Sequence, residues 1–348
     1  MGNAVSTKSL DPILRGVSRS FFLSLRVAPR RTRRQLGLGY LFCRAADTIA
    51  DTRILPPGRR LELLRAFRAQ FGRGARTAEA IRAVRDAVAS GAASEAERRL
   101  LERLEECFAA YDGLAEADRK LLAKLVGTLT CGMEMDLEVF PPEESGEVRC
   151  LETDEDLDRY TYYVAGCVGE FWTELQVAHL PALRRWDLSE MVPKGIRFGK
   201  GLQMTNILRD VDRDLALGRC YFPRPRLEAA RVALEDLKAG RDREKLLPVL
   251  DAYLALTLEE YRDGWAYTLA IPRAAPRLRL ACAWPLLIGL ATLALLARSP
   301  DPYRPGTALK ISRKDVRRIL VRSALRVFSD RALDRMYRRL ESEIGTRA

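Results

Sequence analysis

Tyr40-Leu41-Phe42-Cys43-Arg44-Ala45-Ala46-Asp47-Thr48-Ile49-Ala50-Asp51 has the spacing of a helix with one buried side. Leu41, Phe42, Ala45, Ala46, Ile49 and Ala50 recur at the three-to-four-residue rhythm of an apolar face. Asp47 and Asp51 are four residues apart, so both carboxylates project from one face. Like charges at that spacing cost a helix about a few tenths of a kcal/mol. A cation between them reverses the sign. Carboxylates on an otherwise apolar helix require partners. An oxygen-only pair suits Mg²⁺, which takes few carboxylates and keeps waters and phosphate oxygens. Arg44, one turn before Asp47, can serve as an internal ion-pair partner or as a donor to a diphosphate.

Outward from this stretch the same periodicity continues almost everywhere. It predicts helices over 11–25, 33–52, 58–89, 95–110, 115–139, 154–180, 188–217, 227–238, 242–271, 276–297, 312–326 and 329–343. Breaks carry turn chemistry at Pro56-Pro57-Gly58, Gly72-Arg73-Gly74, Pro141-Pro142, Pro223-Arg224-Pro225 and Pro300 to Gly306. No strand pattern of convincing length is present, nor a long linker or repeat. The expected fold is all-α, a single domain over residues 1–348 with helices around a central cavity.

Three further segments carry chemistry. Gln203-Met204-Thr205-Asn206-Ile207-Leu208-Arg209-Asp210-Val211-Asp212-Arg213-Asp214 repeats the device. Asp210 and Asp214 share a predicted helix face, Arg209 precedes them, and Gln203 and Asn206 lie on the same face. Two aspartate pairs, each beside an arginine, match the needs of a polyphosphate leaving group: metal ions neutralise its growing charge and guanidinium forks bind its oxygens. In Tyr160-Thr161-Tyr162-Tyr163-Val164-Ala165-Gly166-Cys167-Val168-Gly169, each glycine costs a helix about 1 kcal/mol relative to Ala. Close packing of an apolar ligand or a tight helix–helix contact would compensate. Tyr160 begins the face that leads to Val164 and Val168. Ser18-Arg19-Ser20-Phe21-Phe22 mixes hydroxyls, a cation and aromatics.

Composition narrows the classes. Apolar residues at 47% and charged residues at 30% supply an ordinary globular core. The formal net charge of +12 admits an anionic membrane surface or a polyanionic substrate. Nucleic acid is disfavoured, because Arg30-Arg31-Thr32-Arg33-Arg34 has no interleaved aromatics. Seven cysteines without a CxxC pair read as reduced thiols in the cytosol. His179 is the only histidine, which disfavours Cys/His metal sites and Ser-His-Asp or Cys-His catalysis. No signal peptide is expected, and the myristoylation-like start Met1-Gly2 is weak. Leu280 to Ala297 is uncharged but interrupted by Pro285 and Gly289, as in a buried core helix more than a membrane span.

Together the segments SRSF, RAADTIAD, YYVAGCVG and QMTNILRDVDRD resemble the squalene/phytoene synthase family, the head-to-head prenyl transferases, from Ser18 to about Lys310. The resemblance implies one α-helical domain with a central cavity. It implies condensation of two farnesyl or longer prenyl diphosphates through a cyclopropyl diphosphate. It also implies that Asp47, Asp51, Asp210 and Asp214 bind Mg²⁺ and diphosphate, that Arg19, Arg44 and Arg209 hold diphosphate, and that Tyr160 removes a proton or stabilises a cation. Ser18, Phe21, Tyr40, Val164, Gln203 and Asn206 then line the substrate cavity. Ala50 stands where some members of the family carry an acidic residue. The apolar stretch Ala283 to Leu293 followed by Ala308-Leu309-Lys310-Ile311-Ser312-Arg313 is similar to the squalene-forming branch, in which a basic pair contributes to NADPH binding. Lys310 matches that pair. Its second position falls on Ser312, with Arg313 adjacent. No glycine-rich dinucleotide fingerprint supports NADPH independently. The expectation is a cytoplasmic enzyme, peripheral to a membrane at most, that makes squalene with NADPH. Phytoene or dehydrosqualene formation without NADPH, release of presqualene diphosphate, and a non-catalytic membrane-surface scaffold remain as alternatives. The oligomeric state is open.

Overall fold

The structure is a computed structural model that describes residues 11–17, 22–72, 77–88, 91, 94–299, 301–303 and 309–344. It is helical nearly throughout, as the periodicity predicts. The chain divides into two compact units. The first comprises residues 1–138 and 174–180, and the second 139–173 and 181–348.

In the first unit the helices are α1 (Asp11–Val17), α2 (Phe22–Val27), α3 (Arg33–Ala50), α4 (Pro57–Ala69), α5 (Ala78–Val88), α6 (Glu95–Glu102), α7 (Leu104–Asp112) and most of α8 (Glu116–Val139). The apolar face of α3 is buried as its spacing demands, with Leu41, Phe42, Ala45, Ala46 and Ile49 all 2% exposed or less. Phe42 anchors an aromatic cluster with Phe67, Phe71, Phe108 and Tyr111, its ring centroids 4.8–6.4 Å from theirs. Such tilted and edge-on contacts add to plain area burial. The C-terminal end of α3 is held by Arg60, itself buried, which donates to the Ala50 carbonyl at 3.0 Å. The predicted helix over 58–89 is two helices, broken near Gly72.

The second unit contains β1 (Arg149–Leu151), α9 (Asp154–Thr161), a π-helical turn at Tyr162–Gly166, and the first half of α10 (Cys167–His179). There follow α11 (Leu188–Arg209), α12 (Val211–Ala216), β2 (Arg219–Pro223), α13 (Arg224–Ala229), α14 (Leu234–Lys238), α15 (Leu247–Ala270), α16 (Pro276–Arg298), α17 (Arg313–Ala324) and α18 (Asp330–Ser342). Helices α11 and α15 make its most extensive contact. Helix α16 packs on α11, α15, α17 and α18, and two thirds of its apolar window is buried. That is the environment of a core helix.

The strands correct the expectation of none. β1 and β2 pair in parallel, Cys150 opposite Cys220. Runs of three and five residues are too short to show a period of two. The pairing is reached through Gly218 at φ +79°, where a side chain would also strike the Glu147 carbonyl. All seven cysteines are free thiols. His179 is structural: its ring nitrogen meets buried Asp118 at 2.7 Å, and Gln35 donates to the same carboxylate at 2.8 Å.

Candidate active site

Asp47 lies in the last turn of α3, and Asp51 caps that helix by donating its N–H to the Asp47 carbonyl at 2.9 Å. The two carboxylates are one turn apart, as the spacing predicts. Asp47 keeps 45% of its side-chain surface open. Even so, desolvation by the surrounding protein, with the Asp51 charge adding to it, pushes its carboxyl up to about 7 against the pull of Arg44. Water still reaches this group. The rise therefore marks a recessed carboxylate short of positive charge.

Arg44 is shared. Its guanidinium bonds to Glu97 and reaches Asp47 at 3.6 Å. The internal ion pair considered from the sequence thus exists, but the closer partner is Glu97. Glu97 is 6% exposed, on the face of α6 that also buries Leu100 and Leu101. Nε of Arg44 and Oε2 of Glu97 are buried without hydrogen-bond partners among the described residues. Sequence reasoning missed Glu97, which stands in the run Glu95-Ala96-Glu97-Arg98-Arg99 and looks like a solvated surface. Its three-residue spacing to Leu100 is the signal that places it inward. Tyr40, on the same helix, is half-buried and donates its hydroxyl to the Val17 carbonyl at 2.9 Å. Ser18, Arg19 and Phe21 lie outside the described residues.

The second pair differs from expectation. Helix α11 ends at Arg209, and Asp210 is the joint to α12, with φ −100° and ψ 13°. Arg209 turns onto its neighbour, Nε to Oδ1 at 2.8 Å and Nη2 to Oδ2 at 2.5 Å. Successive residues of a regular helix point about 100° apart, so a two-toothed bond between neighbours favours a break there. The Asp214 N–H still donates to the Asp210 carbonyl at 2.9 Å, which preserves the one-turn spacing. Within α12, Asp212 is engaged elsewhere, pairing with Arg243 at 2.8 Å. One turn before Asp210, the Asn206 amide donates to Gln203 at 3.3 Å, and both lie on the predicted face.

Tyr160 lies in the last turn of α9 and is 5% exposed. Its hydroxyl donates to that of Tyr221 at 3.1 Å, and the two rings stack with centroids 4.7 Å apart. Phe140 packs edge-on against Tyr221 at 5.1 Å. The strand pairing thus positions Tyr221 under Tyr160, a partner the sequence did not reveal. The π-helical turn at Tyr162–Gly166 shifts the register beyond Tyr160. Tyr160, Val164 and Val168 therefore do not continue one regular face, and Val164 is half-buried within the wide turn. The glycines serve helix packing. A methyl on Gly169 would strike the Gly195 carbonyl, and one on Gly199 would strike the Ala165 carbonyl.

Lys310 lines a groove of about 760 Å³ between α16, α17 and α18. Basic residues dominate its wall, including Arg298, Arg318, Arg322 and Arg335, against Asp315 and Glu343. Arg313, exposed at the start of α17, is outside that wall. Among the described residues no three His, Cys, Asp or Glu side chains converge to hold an ion by themselves. The Asp47 and Asp51 pair belongs to the first unit, and the Asp210 and Asp214 pair to the second.

Comparison with known proteins gives a consistent picture. A family model described as squalene/phytoene synthase matches residues 14–315. The squalene synthase of Schizosaccharomyces pombe is 26% identical over 306 residues, covering 88% of this chain and 62% of that protein. The presqualene diphosphate synthase of Zymomonas mobilis is 30% identical over 245 residues, covering 69% of each. A bifunctional lycopene cyclase/phytoene synthase of Phycomyces blakesleeanus is 32% identical, but the match covers only 35% of that longer protein. Among solved structures, the complex of TcSQS with the ligand E5700 superposes with a TM-score of 0.75 at 25% identity, over 98% of this chain and 99% of that one. A dehydrosqualene synthase complex shares the fold, with a TM-score of 0.59 at 20% identity over 90% of this chain and 93% of that one.

Proposed function

We propose a head-to-head prenyl transfer for this chain, which belongs to the squalene/phytoene synthase family. In the proposed reaction two farnesyl diphosphates condense through presqualene diphosphate to squalene. The observation that carries the reading is the pair of aspartate sets, each with carboxylates one helical turn apart and an arginine on its first member. Likeness over nearly the whole chain to TcSQS, and over 88% of it to the fission-yeast squalene synthase, favours the squalene-forming branch.

The aspartates fit Mg²⁺ in their donor chemistry. They offer few carboxylates, none in clusters of three, and this ion completes its shell with water and phosphate oxygens. Asp47 with Asp51 would hold one ion and Asp210 with Asp214 another, each supplying positive charge to a diphosphate. Arg44, beside the first pair, and Arg209, beside the second, donate to diphosphate oxygens. The C1–O bond of one substrate breaks, and the diphosphate leaves with the electron pair. The double bond of the second substrate attacks C1, and the proton lost on closing the cyclopropane leaves near Tyr160, whose hydroxyl, backed by Tyr221, relays it to the released diphosphate. Tyr40, Val164, Gln203 and Asn206 contact the substrate. Ser18, Arg19 and Phe21 carry the roles their motif implies. Water must be kept from the cations, which it would quench to alcohols. The second diphosphate then leaves with its electron pair, and the cation that results rearranges before it is reduced. The groove at Lys310 fits NADPH by charge, its cationic wall matching the phosphates; NADPH when bound would supply the hydride that quenches this cation. Arg313 adds charge beside that groove.

Glu97→Gln tests the support of the first set. With Glu97 neutral, Arg44 swings fully onto Asp47 and takes up a carboxylate needed by the metal. The half-saturating Mg²⁺ concentration rises about tenfold, as for other supporting-shell losses, while the melting temperature changes little. An unchanged Mg²⁺ titration would leave Glu97 a packing role only.

The product assay decides among the branches. Purified protein receives Mg²⁺ and farnesyl diphosphate, with and without NADPH. Squalene formed only with NADPH is the expected result. Presqualene diphosphate regardless of NADPH is the second reading, favoured by the Zymomonas relative. Dehydrosqualene, or phytoene from the C20 substrate, would place the chain in the carotenoid-type branch. Failure with every prenyl diphosphate would overturn the enzymatic reading and leave the scaffold.

A further inference from the structure

The outer side of α17 contradicts the ordinary pattern of a surface helix. Six large apolar side chains stand exposed among the described residues, and three of them fall within eight residues: Val321 at 52%, Leu325 at 78% and Phe328 at 65%. Their spacing of four and three places them on one stripe. The Leu325 N–H donates to the Val321 carbonyl at 3.1 Å, so helical geometry continues through Leu325, and Phe328 follows in the turn before α18. The opposite side of the helix is fixed in the core. Ile319 and Val327 are buried, and the Trp284 indole donates to Ser323 at 3.0 Å. The exposed stripe is therefore an outward tip of a well-anchored element.

Its surroundings are cationic. Residues 313–328 hold six basic side chains and a single acidic one. That acid, Asp315, is already engaged with Ser312 at 2.6 Å and Arg318 at 3.3 Å. Arg317 and Lys314 are exposed one and two turns before Val321, on the apolar stripe itself. Arg317 has no carboxylate partner among the described residues.

We propose that this face docks peripherally on an anionic lipid bilayer, with Val321, Leu325 and Phe328 entering the headgroup–acyl boundary and Lys314 and Arg317 meeting the acidic headgroups. Exposed apolar patches rimmed by charge mark interaction surfaces, and a basic helix with an apolar stripe is the pattern that lies in a membrane interface. Charge complementarity selects the occupant. A second copy of this chain would set cations against cations. A nucleic acid would use the cations but gains nothing from Val321 and Leu325. The inference stands on this face alone, whichever product the enzyme makes.

Vesicle flotation of the full chain tests it. Vesicles of phosphatidylcholine mixed with phosphatidylglycerol should carry the protein upward, and vesicles of phosphatidylcholine alone should not. The double variant Leu325→Gln/Phe328→Ser and the double variant Lys314→Gln/Arg317→Gln should each lower partitioning about tenfold or more, with activity on detergent-dispersed substrate unchanged. As a second measurement, the indole introduced by Phe328→Trp should shift its emission to the blue and be quenched by brominated acyl chains only when acidic lipid is present. Absence of binding to acidic vesicles would overturn the proposal. So would wild-type binding by the apolar double variant, which would mean a soluble polyanion suffices, or a dimer in sedimentation that Phe328→Ser dissociates.

Discussion

Asp47→Asn is expected to lower the proposed turnover of farnesyl diphosphate by about a thousandfold, near 4 kcal/mol of lost transition-state stabilisation, while the protein without Mg²⁺ melts no lower than wild type. The two halves of this result have one cause. The Asp47 carboxyl is pushed up to about 7 by desolvation, with Asp51 one turn away adding like charge. Its ionised form is thus a cost to the empty fold, and amide nitrogen and oxygen of the same shape remove that cost. Asp47 is preferable to Asp210 for this test. Arg209 is bound to Asp210 through both of its terminal contacts, so altering Asp210 also releases a cation. Arg44 has Glu97 as its nearer partner and stays in place when Asp47 is neutralised. Melting with and without Mg²⁺ and diphosphate completes the measurement: the wild type gains stability on adding both, and the variant gains much less. Activity close to wild type would sink the metal role of this pair.

How far the site was legible from the sequence follows from what each residue's neighbours say. Asp47 and Asp51 could be placed because an apolar period surrounds them, and that period leaves only one face for the charges. Asp210 and Asp214 share the spacing, but the joint at Asp210 that separates α11 from α12 was hidden. Propensity favours a continuous helix there, and the fork-shaped contact of Arg209 with Asp210 accompanies the joint. The π-helical turn at Tyr162–Gly166 has no signature in its letters, since aromatic and small residues suit an ordinary turn as well. Tyr221 was invisible as a partner of Tyr160 because strands of three and five residues bring them together across sixty-one positions. Glu97 was lost among surface-looking charges. In the groove beside α17, Lys310 could be found from its resemblance, while the exposed stripe of Val321, Leu325 and Phe328 reads in sequence like any core-facing helix. Only burial distinguishes the two.

Gly169→Ala destabilises the second unit by about 3 kcal/mol, at the upper end of overpacking costs, although alanine is the better helix former. The new methyl would strike the Gly195 carbonyl, a backbone group that cannot rotate aside. Gly195 in turn has the Gly169 carbonyl 2.8 Å from where its own methyl would stand. The Thr173 hydroxyl donates to the same Gly169 carbonyl at 2.8 Å and is held by Tyr267 at 3.1 Å. Helices α10 and α11 thus meet backbone to backbone, and α11 would have to move as a whole, taking Gln203, Asn206 and Arg209 with it. Gly127 in α8 supplies the contrast. Among the described residues nothing lies within 4 Å of a methyl there, so Gly127→Ala gains about 1 kcal/mol from propensity alone. Opposite signs for the same chemical change, read by urea unfolding, would establish that contact geometry and not composition fixes the glycines of the YYVAGCVG segment. A Gly169→Ala protein that unfolds like wild type yet turns over slowly would reverse that conclusion. It would return this glycine to the other role open to it, as a place where an apolar substrate lies against a thinned helix.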